Sequence, residues 1–205
     1  MTEVPSGAKA VLRLWLVGVL LAAVAASAGA ASPEVGRTLE VRGIAVAEAD
    51  AVRRSLATAS PLHLDDTLVT GHSSRLTARL SDATLSMSAD ARLVIDTYVT
   101  GTRASLLLRA GAVLVEAAPG AFRQRLTVTS PFGVIGVRGT RFFAGPVGET
   151  FGVFCAQGSV SVNAGGRTVL LTAGEGVDIA RAGGPPGPVR RWGQPKIDRA
   201  LASVR

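Results

Sequence analysis

Arg75-Leu76-Thr77-Ala78-Arg79-Leu80 puts an apolar side chain at every second position and a polar one between. Two residues is the period of a strand, whose successive side chains point to opposite faces. The stretch therefore reads as a strand with one face on a core and the other in water. The same alternation continues in Thr84-Leu85-Ser86-Met87 and Arg92-Leu93-Val94-Ile95. It returns in Val113-Leu114-Val115, Arg125-Leu126-Thr127-Val128-Thr129 and Ser159-Val160-Ser161-Val162. The outward positions carry Thr, Ser and Arg, which suit a solvated sheet face.

Turn formers separate these runs at a spacing of about ten residues, as in an all-β chain. They include Gly71, Asp82, Asp90, Gly101, Gly111, Pro131, Gly139, Gly145-Pro146, Gly158, Gly165-Gly166 and Gly174. Glycine takes positive φ without a Cβ clash, so each marks a predicted reversal of the chain. The stretch with helical composition is Ala47 to Ala59; its register is poor and reads equally as a loop. Three segments echo one another: Leu106 to Val115, Val153 to Val162 and Leu170 to Ile179 each read strand, glycine turn, strand. Stacked units of that kind form a β-solenoid; ordinary hairpins in a two-sheet stack explain them as well.

Hydrophobic residues make up 47% of the 205 and charged residues 18%, so the chain has enough apolar mass to fold. A single Cys and 4% aromatics exclude a disulfide scaffold, a Cys-based zinc module and an aromatic stacking platform for nucleic acid. The formal charge is +7, but residues 31–180 hold 14 Arg against 13 acids. The excess sits in residues 181–205, where Arg181, Arg190, Arg191, Lys196, Arg199 and Arg205 face only Asp198. A nucleic-acid-binding domain spreads its basic residues over a face of the fold, so no nucleic-acid partner is expected.

The first residues read as an export signal. Lys9 and Arg13 precede an uninterrupted apolar run of 13 residues, Leu14 to Ala26, and small residues follow. Ala28-Gly29-Ala30 is an A-x-A site, which predicts cleavage between Ala30 and Ala31. The expected divisions are a signal peptide at 1–30, an all-β domain at 31–180 and a flexible Pro/Gly-rich basic tail at 181–205. The expected location is periplasmic or secreted. The alternative is an uncleaved inner-membrane anchor, although the run is shorter than the roughly 20 residues of a spanning helix.

No catalytic constellation emerges. Gly133, Gly136 and Gly139 lack the dinucleotide spacing, and neither a P-loop nor a nucleophile elbow occurs. His63 and His72 with Asp65 and Asp66 have metal-ligating chemistry, but such residues also cap turns. Asp82, Asp90 and Asp96 stand at turns or strand ends, where Asp accepts backbone hydrogen bonds. Cys155, in a strand-like stretch, reads as a small buried hydrophobe, with a nucleophile or intermolecular disulfide as the sharper reading. No catalytic residue, metal ligand or cofactor-binding residue is expected.

Five blocks stand out in order. They are Leu64-Asp65-Asp66-Thr67-Leu68-Val69-Thr70-Gly71, then Leu80 to Met87, then Leu126 to Pro131 with Val137-Arg138-Gly139-Thr140-Arg141-Phe142. Gln157 to Val162 and Leu171 to Glu175 complete them. In order and spacing, over roughly residues 35–180, they resemble the FecR domain family. Asp65-Asp66 stands where the family has Gly-Asp, and Asp82-Ala83 where it has Asp-Gly, which leaves the register at that hairpin open. The resemblance implies an extracytoplasmic all-β domain, β-solenoid-like in the family. Members that regulate iron uptake place a sigma-factor-binding region before their membrane span. Only about a dozen residues precede the apolar run here, so no sigma factor is expected as a partner.

The family-motif turns are Thr70, Gly71, Pro131, Arg138, Gly139 and Thr140. Turn chemistry explains them structurally; the alternative is a contact surface at Arg138 and Arg141. The functional expectation is a non-catalytic envelope module holding a protein partner or envelope polymer. The alternatives are a membrane-anchored periplasmic sensor of the iron-uptake kind and a glycan-acting enzyme, which would need two facing carboxylates. In the tail, Arg190, Arg191, Trp192 and Lys196 could make a weak contact with an anionic surface, or the segment is a disordered, solubilising end.

Overall fold

The computed structural model describes residues 32–117 and 125–205; the side chains of Arg125, Arg138, Gly139 and Thr140 lie outside that description. The predicted export signal at 1–30, with its cleavage site at Ala30 and Ala31, also falls outside it. The described chain is all-β, as the alternation predicted: sixteen strands and one short helix. The strands are β1 (Glu34–Arg42), β2 (Ala45–Ala49), β3 (Val52–Ser55), β4 (Pro61–His63), β5 (Thr67–Thr70) and β6 (Arg75–Leu80). There follow β7 (Ala83–Met87), β8 (Arg92–Val99), β9 (Arg103–Ala110), β10 (Val113–Ala117) and β11 (Arg125–Ser130). Then come β12 (Gly133–Val147), β13 (Thr150–Ala164), β14 (Arg167–Thr172), β15 (Glu175–Ile179), β16 (Arg190–Arg191) and helix α1 (Gln194–Ala202).

The pairing resolves into two arms. The first runs β3-β2-β5-β8-β9-β11, then the N-terminal half of β12, the C-terminal half of β13, and β14. The second runs β4-β1-β6-β7-β10, then the C-terminal half of β12, the N-terminal half of β13, β15 and β16. Each pair is antiparallel except β9 with β11. The long strands β12 and β13 belong to both arms. Their register shifts between Arg138 and Phe142, opposite Gln157 and Ser159. A bulge adds a residue to one strand and bends it, which carries both strands from one arm into the other.

Side chains of the two arms meet in a single buried cluster. Leu68, Leu93, Leu106, Val128 and Ile135 come from the first arm, and Leu76, Leu85, Val113 and Phe142 from the second. The sheet therefore folds over itself as a two-layer stack, its inner faces forming the core. At the end away from the bend, Phe132 stacks on Phe151 with ring centroids 4.4 Å apart.

The glycines of the echoed segments stand at the bend. β9 lies in the first arm and β10 in the second, with Gly111 between them; β14 and β15 are joined likewise through Gly174. Gly158 lies inside β13. Three predicted turns need correction: Arg138-Gly139-Thr140 and Gly145-Pro146 lie within β12 and Gly158 within β13, and none of them reverses the chain. A bend and a reversal use the same local chemistry, so sequence does not distinguish them. At Gly111, φ is +74° and an added Cβ would sit 2.5 Å from Ala91 Cβ, so the close approach at the bend requires glycine.

Two further expectations change. Ala47 to Ala59 is no helix: β2 and β3 form a hairpin, with Val46 opposite Ser55 and Ala49 opposite Val52. Residues 181–205 pack on the body instead of forming a free tail. Gly183 donates to Pro131 O at 3.0 Å and Gly187 to Asp178 O at 2.9 Å, so the Pro/Gly segment crosses from one arm to the other. β16 then pairs with β15, and α1 seats Ala200 and, just beyond it, Val204 in a second apolar cluster with Leu114, Phe143 and Phe154. Its own apolar residues, few and widely spaced in the sequence, are satisfied only by that face.

Candidate interaction surface

The bend is held by buried hydroxyls. Thr70 Oγ1 donates to Ser88 O at 2.6 Å and accepts from Ala91 N at 2.9 Å. Ser88 Oγ accepts from Ala112 N at 2.9 Å, and Ser74 Oγ from Ile44 N at 2.9 Å. Gly71 N donates to Ile44 O at 2.9 Å. Thr70 and Gly71 thus tie neighbouring bent strands together where the regular ladder breaks, because a buried backbone group must find a partner. Pro131 opens the β11–β12 reversal, where Ser130 Oγ accepts from Phe132 N at 3.2 Å. The backbone of Arg138, Gly139 and Thr140 forms the bend in β12, while Arg141 pairs with Glu116 at 2.7 Å.

Two cross-strand rows describe the outer faces. In the first arm, Thr97, Ser105, Thr127, Gly136, Ser161 and Leu170 stand side by side across β8, β9, β11, β12, β13 and β14. Most are half-buried hydroxyl or small residues. Asp96, Thr97, Arg103, Ser105 and Thr127 line a shallow depression of about 440 Å³ there. In the second arm the corresponding row is Thr77, Ser86, Leu114, Phe143, Phe154 and Gly176. Its apolar half lies beneath Trp192 and α1.

Trp192 is 8% exposed and stacks on Phe154 at 5.1 Å between centroids. The ring fits because Gly152 has no side chain: a Cβ there would stand 2.7 Å from Trp192 Cη2. Lys196 Nζ sits 4.2 Å above the indole and bonds both oxygens of Asp178. The predicted anionic contact is corrected accordingly. Trp192 faces the body and Lys196 is engaged, so Arg190 and Arg191 alone of that group remain exposed. Glu175, with its N–H and O–H partners on Thr172 and with Arg191 nearby, is held below the usual carboxylate range.

The remaining polar candidates have local partners. Asp66 is buried; its carboxylate accepts two bonds from Arg54, at 2.7 and 2.8 Å, and one from His63 N at 2.8 Å. His72 Nδ1 lies 3.2 Å from Asp90 on the surface. Among the described residues no group of three or more His, Cys, Asp or Glu side chains is placed to hold a metal ion. Asp82 receives Gly101 N at 2.7 Å, and its own N–H donates to the Tyr98 phenol Oη at 3.0 Å. Burial pushes Tyr98 up to about 12. Ala83, the residue of uncertain register, is buried opposite Ala117. Cys155 is a free, buried thiol whose ionisation is pushed up by burial.

The aromatic cover was the feature missed in the sequence, and it left a trace. Phe142-Phe143 and Phe151-Gly152-Val153-Phe154 break the two-residue alternation into continuous apolar runs. Such runs mark strands buried on both faces.

Residues 66–161, from Asp66 through β12 and into the C-terminal half of β13, match the protein-family model described as FecR protein. The chain carries a FecR domain. The match is narrower than the 35–180 expected and leaves the C-terminal cover outside it. Two solved structures of a candidate anti-sigma factor from Parabacteroides distasonis ATCC 8503, at 2.50 and 1.65 Å, resemble this chain in fold. Each aligns with a TM-score of 0.52 and 15% identity, over 61% of this chain and 59% of that one. No curated protein matches it in sequence.

Proposed function

We propose that this FecR-domain chain is a non-catalytic module of the cell envelope that holds a protein partner on the outer face of its first arm. The observation that carries this is the contrast between the two outer faces. The second arm's apolar half is already covered by the chain's own C-terminal segment. The first arm presents Thr97, Ser105, Thr127 and Ser161, half-buried and uncharged, beside a shallow depression. A rigid sheet with short hydroxyl side chains loses little conformational entropy when another protein surface docks on it. The FecR domain and neighbours described as candidate anti-sigma factors support a regulator of FecR type.

Envelope extracts from the native host test this, passed over the immobilised exported protein and over Thr127→Arg and Ser161→Arg variants. A long charge in the centre of a docking face is expected to reduce retention of the specific partner at least tenfold. Thr77→Arg, on the second arm, should leave it unchanged. Equal retention by all four would overturn the first-arm face. Intact mass of the exported chain tests location: a soluble periplasmic product beginning at Ala31 fits a free module. A membrane-bound product of full mass favours the anchored sensor.

A further inference from the structure

Among the described strands, β3, β4, β14 and β16 each pair on one side only. An unpaired edge is a template for another strand, and proteins blunt such edges with charge, proline, shortness or cover. Three of these four are blunted. β3 carries Arg53 and Arg54. β4 has three residues, starts at Pro61, and is tied to β3 by Arg54, which donates to Pro61 O at 3.3 Å. β16 consists of Arg190 and Arg191 alone.

β14 is different. Its six residues hold one charge, Arg167 at the first position, and Leu170 in the middle is 62% exposed. Its pairing with β13 is regular from Ser159↔Thr172 to Ala164↔Arg167, so the strand is straight and in register up to its free side.

We infer that this edge pairs with β14 of a second copy of the chain, antiparallel about a two-fold axis through Leu170. That register sets Leu170 opposite Leu170, Val169 opposite Leu171, and Thr168 opposite Thr172. Each pair matches in chemistry and in face. Leu171 is buried and Val169 packs on the core, so the inner row continues as an apolar row across the junction. The outer row becomes Thr, Leu and Thr, and cross-strand Thr and aliphatic pairs stabilise antiparallel sheets. Arg167 falls opposite Ala173, so like charges do not meet. Centring the axis on Val169 instead would set Arg167 against the buried Leu171. Centring it on Leu171 would pair Leu170 with Thr172 and Thr168 with Gly174. The self-complementary register makes the contact isologous and closed, as a two-fold dimer requires. Leu170 adjoins Ser161 in the outer row, but Thr127 on β11 lies three strands from this edge, so Thr127→Arg separates the dimer from the partner reading.

Sedimentation of the exported chain across a wide concentration range reads the association directly. A reversible dimer is expected, weakened more than tenfold by Leu170→Lys, a surface change that circular dichroism should show to be folded. Thr127→Arg should remain dimeric even where it loses the envelope partner. Mild oxidation of Leu170→Cys should give a disulfide-linked dimer, because directly opposed Cβ atoms lie about 4.5–5.5 Å apart; the native Cys155 is buried and does not compete. Thr168→Cys alone should link poorly, and Thr168→Cys with Thr172→Cys should link well. A chain that stays monomeric throughout, including one that pairs β14 with a peptide of another protein, overturns the proposal. So does a dimer indifferent to Leu170→Lys, or equal linking at positions 168 and 170.

Discussion

Gly136 and Ser161 on one side of the bend, and Phe143 and Phe154 on the other, are neighbouring pairs on the same two strands, β12 and β13. Each pair lies on the outer face of its arm. The first remains partly exposed, while the second is sealed by Trp192, Ala200 and Val204. One continuous strand thus serves two environments, because the bulge between Arg138 and Phe142 delivers its halves to different arms. The sealed half needs side chains on both faces and carries Phe in runs. In the open half β13 alternates Ser and Val from Ser159 to Val162, while β12 carries Gly136 and an exposed Val134 on the outer face. Outer-face composition thus reports what covers the face, even within a single strand.

The strongest test of the contrast is Trp192→Ala. Removing a buried aromatic that fills a close-packed site costs about 3–5 kcal/mol. Denaturant unfolding should show that loss together with binding of a hydrophobic dye to the uncovered Phe143 and Phe154. A loss below about 1 kcal/mol would mean that the cover contributes little to stability.

Next in size is the joint between the arms. Thr70→Val keeps the shape but leaves Ser88 O and Ala91 N short of a partner, at a cost of about 1–3 kcal/mol. Unfolding midpoints check it, and Thr127→Val on the open face provides the comparison, with a change within about 0.5 kcal/mol.

Tyr98, on β8 of the first arm, reports on a contact between the arms, since its phenol accepts from Asp82 N at the β6–β7 turn of the second. Its phenol is pushed up to about 12 from an ordinary 10.0, chiefly by burial. The folded state therefore holds the proton more tightly than the unfolded one. That stabilisation is complete below pH 10.0 and is lost as pH rises through about 12. Tyr98→Phe should flatten the alkaline decline and cost about 1 kcal/mol at neutral pH through the missing bond from Asp82 N. Ultraviolet titration of the phenol checks the ionisation.

The smallest effect belongs to Glu175, at the turn joining β14 to β15. Its carboxyl is held below the ordinary 4.5, first by Thr172 N–H, then by the Thr172 hydroxyl, with Arg191 adding attraction. Its contribution is present above 4.5 and fades as pH falls through the lowered value. Glu175→Gln should reduce the acid-side slope of stability slightly, and salt should mute the part due to Arg191. An unchanged acid slope would place the loss of stability elsewhere.

Much of the fold was legible residue by residue. The alternation at Arg75–Leu80 and Leu126–Thr129 placed Leu76, Leu80, Leu126 and Val128 in the core, where they lie. Thr70 and Gly71 were readable as structural, though not as ties across a bend. The echo of strand, glycine and strand was present in the sequence, but its meaning was not, since Gly111 and Gly174 bend the chain between arms and Gly165 reverses it. The tail misled because its composition is that of a linker: Gly and Pro weaken local ladders, yet Trp192 and Val204 find apolar partners far away in sequence.

The division has a physical cause. Side-chain period and glycine's tolerance of positive φ act over a few residues, so the sequence by itself determined an all-β chain, the inner faces of its strands and the places where its path must change. Whether a glycine bends or reverses the chain depends on which strand lies alongside. Whether an outer face stays open depends on a segment that returns to it. Trp192 reaches Phe154 across 38 positions of sequence, and no local pattern encodes that contact. Only the tertiary structure decided that one arm is sealed by its own C-terminal segment while the other keeps an open face and an unprotected edge at β14.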